Sequence, residues 1–112
     1  MIMNTKIQKE LDLIKECILQ VVPAEMIYLF GSYADGTSCE NSDIDIYVVV
    51  PDDTEDIRDL HGDIRCLLWN KKTMELDLLI GRSSVFNRRK SAPTMERVVA
   101  RKGLVLYAAS IS

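Results

Sequence analysis

The 112-residue sequence predicts an α/β (α+β) fold, a mixed β-sheet of about four strands flanked by helices. One observation is a set of short apolar runs bounded by turn residues, the pattern of strands in a packed sheet. Another is a set of segments whose apolar residues recur every three or four positions, as in amphipathic helices. The length fits a single domain, residues 1–112, with a substantial core.

The first half of the chain is predicted to form a helix and two strands. Residues 4–20 form the helix, which ends before Pro23. Its apolar stripe consists of Ile7, Leu11, Ile14 and Ile18. Residues 26–30 are a strand buried on both faces, because the apolar run is unbroken. Residues 33–41 form a connecting turn, which has room for only one or two turns of helix. Residues 43–50 form the second strand.

The second half begins with a helix that Asp53 or Thr54 caps, and we expect Trp69 to close its packing against the sheet. The buried stripe of this helix is Ile57, Leu60, Ile64 and Leu67 or Leu68. Residues 74–80 read as a third strand. A basic helical stretch follows, restarts near Ser91 and continues over residues 95–102. Residues 104–107 form a short final strand.

The composition is that of an ordinary soluble domain, with 47% hydrophobic and 28% charged residues and a net charge of −3. It gives no general nucleic-acid footprint, and no stretch suggests a membrane span or a signal peptide. The cytoplasm is the expected compartment. Cys17 and Cys66 are expected in the core and Cys39 in an exposed loop, without a disulfide or a thiolate metal site.

Two acids lie at the head of the second strand. Side chains alternate along a strand, so Asp43 and Asp45 share one face. They are separated by a rise of about 6.6 Å, so two ionised carboxylates repel by roughly 2.5 kcal/mol at an effective dielectric near 20. A hard cation such as magnesium, with substrate phosphate on its other positions, suits these oxygens.

A small-residue turn ends the first strand. Gly31 permits close backbone approach, and the Ser32 hydroxyl can donate a hydrogen bond to a phosphate oxygen. Backbone N–H groups without partners at such a turn attract phosphate. The turn and the two acids together predict a site for a metal-bound polyphosphate.

The two elements carry a family resemblance. Gly31-Ser32, ten intervening residues and Asp43-Ile44-Asp45 resemble the nucleotidyltransferase signature of the DNA polymerase beta-like superfamily. Within it, the motifs Gly-Ser-Tyr-Ala-x-Gly and Asn-Ser-Asp-Ile-Asp-Ile resemble the minimal nucleotidyltransferases (MNT), and the resemblance spans residues 25–107. The family often has a basic residue at the position of Asp35.

A third acid interrupts the third predicted strand, where a carboxylate needs a charge partner or a metal to repay its desolvation. The resemblance implies that this acid, Asp77, completes the catalytic and metal-binding set with Asp43 and Asp45. The alternative is an ion pair with Arg82 or Arg101.

The resemblance implies an activity and a partner. Asp43, Asp45 and Asp77 would hold two magnesium ions, and Gly31 and Ser32, joined by Ser42, would bind the triphosphate of ATP. AMP would pass to a hydroxyl acceptor, a protein tyrosine of a helical HEPN toxin for which this chain is the antitoxin. Homo- or hetero-oligomers, without membrane or direct nucleic-acid binding, are compatible with this setting.

Other interpretations remain open at this point. A binding module could neutralise the partner by contact alone, and Asp35 in a commonly basic position favours it. Transfer to a small molecule would need a further domain for the acceptor. His61 is expected at the surface, and Arg88-Arg89-Lys90 reads either as a solvated face or as a contact for a partner or phosphate.

Overall fold

The computed structural model describes residues 5–36, 43–71 and 75–109. The elements in chain order are α1 (Thr5–Val21), β1 (Met26–Phe30), α2 (Ser32–Asp35), β2 (Ile44–Val50), α3 (Ile57–Leu68), β3 (Leu76–Arg82), α4 (Ser83–Arg89), α5 (Met95–Lys102) and β4 (Leu104–Ala108). The strands form one sheet in the order β3-β2-β1-β4. Since β2 pairs antiparallel with β1 and parallel with β3, the sheet is mixed, and the predicted fold class is confirmed.

The larger core lies on the face of the sheet that α1 and α3 cover. The side chains of β2 that point to this face, Ile44, Ile46, Val48 and Val50, are completely buried. The stripe predicted for α1 and the inward residues of α3 pack in the same cluster. The helical spacing in the sequence therefore identified which helix faces form this core.

The opposite face of the sheet carries a smaller core, formed with α4 and α5. Its buried residues are Tyr47, Val49, Phe86 and Val99. The ring of Phe86 stacks on Tyr28 at 5.6 Å between centroids and lies tilted against Tyr47 at 5.2 Å. The strand β1 is thus covered on both faces, as its unbroken apolar run predicts.

One edge of the sheet is capped by side chains of α3. Parallel pairing of β3 with β2 uses the carbonyl groups of alternate residues and leaves those of Leu76 and Leu78 pointing outward. Arg65 donates to the Leu76 oxygen at 3.3 Å, and Nε2 of His61 lies 3.0 Å from the Leu78 oxygen. His61 is half-buried and holds this edge, so its predicted surface role is only partly right.

Four local predictions are wrong. Neither Asp53 nor Thr54 caps α3; Asp56 does, by accepting a bond from the Asp59 N–H at 3.1 Å. Ser91 likewise gives way to Thr94 at the start of α5, because the chain makes a turn between α4 and α5. Trp69 is 79% exposed beyond the last turn of α3, and Cys66 is exposed because it lies off the buried stripe.

Several predicted features lie outside the described residues. They are the start of the first helix at residue 4, the second half of the turn with Cys39 and Ser42, and the start of the third strand at residue 74. The third strand extends two residues beyond its prediction, to Arg82, because β2 continues to pair with it up to Val50. In the described part of the chain no helix has the length and apolarity to span a membrane.

Candidate active site

The sheet brings two of the predicted acids side by side. In the parallel register of β2 and β3, Asp45 lies directly opposite Asp77. Neighbouring strands are about 4.8 Å apart, closer than the rise of about 6.6 Å that separates Asp43 from Asp45 along the chain. Asp43 stands just before β2 and is exposed, whereas Asp45 is half-buried. The tightest carboxylate pair of the site therefore joins two strands.

Burial and the neighbouring acids raise the pKa of Asp45 to about 6. Burial has the largest effect because it removes water from the charged form. A hydrogen bond that protonated Asp45 donates to Asp77, the negative charge of Asp77 and then that of Asp43 act in the same direction. A carboxyl group in this position is therefore most stable when it is protonated or lies next to a cation.

The acids have the chemistry of a magnesium site, although they are not assembled as a complete cluster. Carboxylate oxygens are the ligands that hard cations prefer, and their mutual repulsion is relieved by a bound cation. Within residues 5–36, 43–71 and 75–109, no three acidic, histidine or cysteine side chains converge closely enough to form a preformed metal cluster. Asp45 and Asp77 form a pair of candidate ligands for a cation, and exposed Asp43 can supply a third.

Gly31 is required by two features of the site. Its φ of +75° lies in the left-handed region that favours glycine. A Cβ atom built on Gly31 would also collide with the carboxylate of Asp45. Phe30, the preceding residue, pairs with Asp45 across β1 and β2, which explains how the end of β1 comes against the acid. The turn therefore lies against Asp45.

The single-turn helix α2 follows Gly31. Gly31 holds its N-cap position and has no side chain that could accept a bond from the first-turn N–H groups. Gly36, at φ +81°, ends α2 in the left-handed conformation, and its N–H bonds to the Ser32 carbonyl. Ser32 therefore stands at the start of a short, tightly closed turn beside Asp45.

A comparison with protein families identifies this arrangement. The family described as "Polymerase beta, Nucleotidyltransferase" matches residues 12–111. The chain belongs to this family. The match includes the Gly31 turn and all three acids, and it confirms the resemblance drawn from the motifs. A search of curated proteins finds no match.

Solved structures with similar folds include toxin–antitoxin complexes. A chain of a toxin–antitoxin structure with AMP-PNP is 29% identical, with a TM-score of 0.59, over 88% of this chain and 73% of that chain. A structure of a tri-AMPylated Shewanella oneidensis HEPN toxin with its MNT antitoxin matches at 25% identity and a TM-score of 0.54, covering 91% and 72% of the two chains. A putative nucleotidyltransferase from Sulfolobus solfataricus, at 21% identity and a TM-score of 0.55, covers 96% and 90% and shares the fold.

Other side chains of this nucleotidyltransferase chain have different partners from those expected. Arg82 does not pair with Asp77; its guanidinium donates to the carbonyl oxygens of Thr54 and Glu55 at 2.8–3.1 Å. In the described part of the chain, Arg101 has no carboxylate partner either. The ion-pair alternative for Asp77 is therefore not observed, and its neighbour is Asp45.

One polar network was missed by sequence reasoning. The hydroxyl of buried Tyr47 donates to Glu96 at 3.0 Å, and Nε of Arg89 donates to the other oxygen of Glu96 at 2.9 Å. The network ties α4 and α5 to β2, two residues beyond Asp45. The available signal was Tyr47 itself, a hydroxyl within the apolar run that follows Asp45, which needs a partner when buried.

Proposed function

We propose that this chain transfers a nucleoside monophosphate, AMP from ATP, to a hydroxyl acceptor and releases pyrophosphate. The observation that carries the proposal is the pairing of Asp45 with Asp77 beside the Gly31 turn, in a chain of the nucleotidyltransferase family. The step forms a bond between the acceptor oxygen and the α-phosphorus and breaks the bond from that phosphorus to the oxygen of the leaving pyrophosphate.

Each residue of the site has a proposed role. Gly31 and Ser32 bind the triphosphate with backbone and hydroxyl donors, with Ser42 as a third contact whose position is outside the described residues. Asp77 helps to take the proton of the acceptor hydroxyl, because it is exposed at the strand where an acceptor can approach. Asp45 lies between Gly31 and Asp77, so it fixes the position of the triphosphate-binding turn relative to the acceptor side of the site.

Magnesium is the proposed cofactor, as two ions held by Asp43, Asp45 and Asp77. When bound, the ions neutralise the negative charge that develops on the triphosphate and the attacking oxygen. The raised pKa of Asp45 supports this role, since burial first and the neighbouring acids second disfavour its charged form when no cation is bound. The exposed position of Asp43 allows it to complete the ligand set as the metal-bound nucleotide enters.

A helical HEPN protein is the proposed partner, and one of its tyrosines is the proposed acceptor. Support comes from the similar structures, of which one holds AMP-PNP in a toxin–antitoxin complex and another an AMPylated HEPN toxin with its MNT antitoxin. The chain would then act as the antitoxin, in the cytoplasm.

A binding module that masks the HEPN partner by contact alone is the second candidate. The observation that favours it is the incomplete assembly of the acids within the described residues. In this case nucleotide binding would be weak, and neutralisation would be independent of Asp45 and Asp77.

Coexpression with a helical HEPN protein separates the two candidates. Intact-mass spectrometry should find the partner heavier by whole AMP units with the wild type and unmodified with Asp77→Asn. Asp53→Asn, which changes an exposed acid beyond the far end of β2, is the matched control and should modify like the wild type. An unmodified but fully neutralised partner in all three cases would establish masking.

Calorimetry of ATP binding tests the cofactor independently. Wild-type protein should bind ATP more tightly with magnesium than in chelator, and Asp45→Asn should lose most of this difference. Equal affinity in both conditions would defeat the two-metal proposal.

A further inference from the structure

Positive charge is concentrated at the C-terminal part of the chain. Residues 82–112 contain seven of the fourteen basic residues but only one of the seventeen acids. Arg89 forms an ion pair with that acid, Glu96, and the guanidinium of Arg82 donates hydrogen bonds to backbone carbonyl groups. Among the described residues the other five basic side chains of this segment have no carboxylate partner: Arg88, Lys90, Arg97, Arg101 and Lys102. This charge is available to a negatively charged partner.

The orientation of α5 determines where its side chains point. Val99 is buried against the sheet, and the Gly103 that ends α5 lies against Leu29 and Tyr28, so the helix runs over β1. Glu96 reaches Tyr47 of β2. One flank of α5 therefore faces β2, and the opposite flank faces the other neighbour of β1, which is β4.

The flank of α5 that faces β4 is apolar and exposed. Successive residues of an α-helix are rotated by about 100° around its axis. Viewed along α5, Glu96 therefore lies on one side of the buried Val99, and the other side carries Met95, Val98 and Lys102. Met95 is 52% and Val98 50% exposed. Val105 of β4 pairs with Tyr28, shares the sheet face on which α5 packs, and is 54% exposed. We call this surface, Met95, Val98 and Val105 with Arg101 and Lys102 at its rim, the α5–β4 patch.

Among the described residues, no strand pairs with the outer edge of β4 beside the α5–β4 patch. At the opposite edge, Arg65 and His61 cap the outward carbonyls of β3. No side chain of the described residues forms a hydrogen bond to β4. An edge strand with exposed apolar side chains and unused backbone groups is a surface that another chain can cover.

We propose that the α5–β4 patch is the docking surface for the protein partner, whose matching surface carries apolar side chains surrounded by carboxylates. The proposal rests on the proposed function in taking the HEPN protein as that partner. Charge favours a different chain over a second copy, because two facing patches would oppose their own basic rims. The apolar centre and the absence of an aromatic side chain in the patch favour protein over nucleic acid.

The position of the patch suits delivery of an acceptor. Leu104 and Val105 pair with Leu29 and Tyr28, so β4 begins at the end of the sheet where β1 leads into Gly31. One strand intervenes between β4 and β2, so the patch lies about 10 Å from the line of Asp45 along the sheet. A partner seated there can reach the acids with a flexible segment.

Two pairs of variants test the docking surface by affinity for the coexpressed HEPN protein. Val98→Glu should weaken binding roughly tenfold or more, whereas Trp69→Glu, which changes an exposed apolar residue at the end of α3, should not. The double variant Arg101→Glu with Lys102→Glu should weaken binding similarly at about 50 mM NaCl and less at about 500 mM. The control is Lys9→Glu, which changes an exposed lysine of α1 and should bind normally.

The readouts separate this inference from the proposed enzyme. Asp77→Asn should bind the partner normally without transferring AMP, and Val98→Glu should bind ATP normally. Wild-type affinity in Val98→Glu would overturn the docking surface and leave the enzyme untouched. Binding without any transfer would overturn only the enzyme, and a chain that binds no HEPN protein would overturn both. If the charge variants instead lose affinity for a single-stranded RNA and keep the protein partner, the surface is a nucleic-acid site and the proposal is wrong.

Discussion

The two faces of β2 differ in what their side chains do. One face consists only of aliphatic residues, Ile44, Ile46, Val48 and Val50, all at 0% exposure. The other face begins with half-buried Asp45 and continues with Tyr47 and Val49 under α4 and α5. The first face contributes stability through burial, whereas the second holds charged and polar groups whose burial costs free energy. A single strand thus joins the stabilising core to the candidate site.

The candidate site therefore lies on the face of β2 that is less completely buried. Asp45 has a raised pKa because burial and Asp77 disfavour its charged form. Gly31 has left-handed backbone geometry against the same carboxylate. Such local costs persist when the surrounding structure is stable enough to hold them, and here the core under α1 and α3 provides that stability.

The largest effect is expected from adjacent leucines of β3 that point to opposite faces. Leu78 is 5% exposed in the main core, and Leu79 is half-buried beside the site. Leu78→Ala should lower the free energy of unfolding by about 3 kcal/mol, and Leu79→Ala by about 1–2 kcal/mol, because the first leaves a closed cavity. Urea unfolding measures both. Equal losses would mean that the faces are packed alike.

Gly31→Ala should destabilise the protein by about 2 kcal/mol, because alanine resists a φ of +75° and its methyl group meets Asp45. A double-mutant cycle with Asp45→Ala divides the two causes. Removing the carboxylate should recover part of the loss, namely the steric part. Full recovery would show that backbone strain contributes nothing, and no recovery would show that the collision is avoided by relaxation.

The sequence was most informative where a pattern reports one local property. The apolar runs predicted β1 and β2 nearly to the residue, and Asp77 was predicted inside the third strand. These runs could not give the register that sets Asp45 opposite Asp77, since pairing between strands depends on the whole sheet. Trp69 was misplaced because hydrophobicity predicts burial only on average.

Asp45→Asn should stabilise the metal-free protein at neutral pH. The pKa of Asp45 rises from 3.8 to about 6 on folding, so the folded state binds the extra proton and loses stability as pH rises through this interval. The shift corresponds to about 3 kcal/mol, which we reduce to about 1–2 kcal/mol because water partly screens this half-buried group.

Urea unfolding in chelator from about pH 3.5 to pH 8 measures this difference. The variant should gain on the wild type between about pH 4 and pH 6.5 and keep a constant advantage above that range. Asp43→Asn should gain less, since Asp43 has the smallest influence on the pKa of Asp45. Magnesium should reduce the advantage by binding the wild type. A constant difference across the whole range would contradict the raised pKa.

Tyr47→Phe should cost about 1 kcal/mol at neutral pH, because the buried hydroxyl loses its bond to Glu96 while Arg89 keeps its own. Burial raises the pKa of Glu96, but bonds from Arg89 and Tyr47 outweigh burial and lower it below 4.5. The lowered pKa places the stabilisation above pH 4.5, and it is lost as pH falls through the folded value. The difference between wild type and Tyr47→Phe should therefore shrink in acid.

The hydroxyl of Tyr47 also fills the space next to Gly81, where a Cβ atom would collide with it. Gly81→Ala should therefore destabilise the wild type more than it destabilises Tyr47→Phe, because removing the hydroxyl relieves the shortest contact and leaves the nearest ring carbon 3.1 Å from the added methyl group. Thermal unfolding of the four proteins gives the coupling free energy between the two positions. A coupling of zero would mean that the Tyr47 side chain moves freely away from β3, and that the network with Glu96 does not fix its position beside the site.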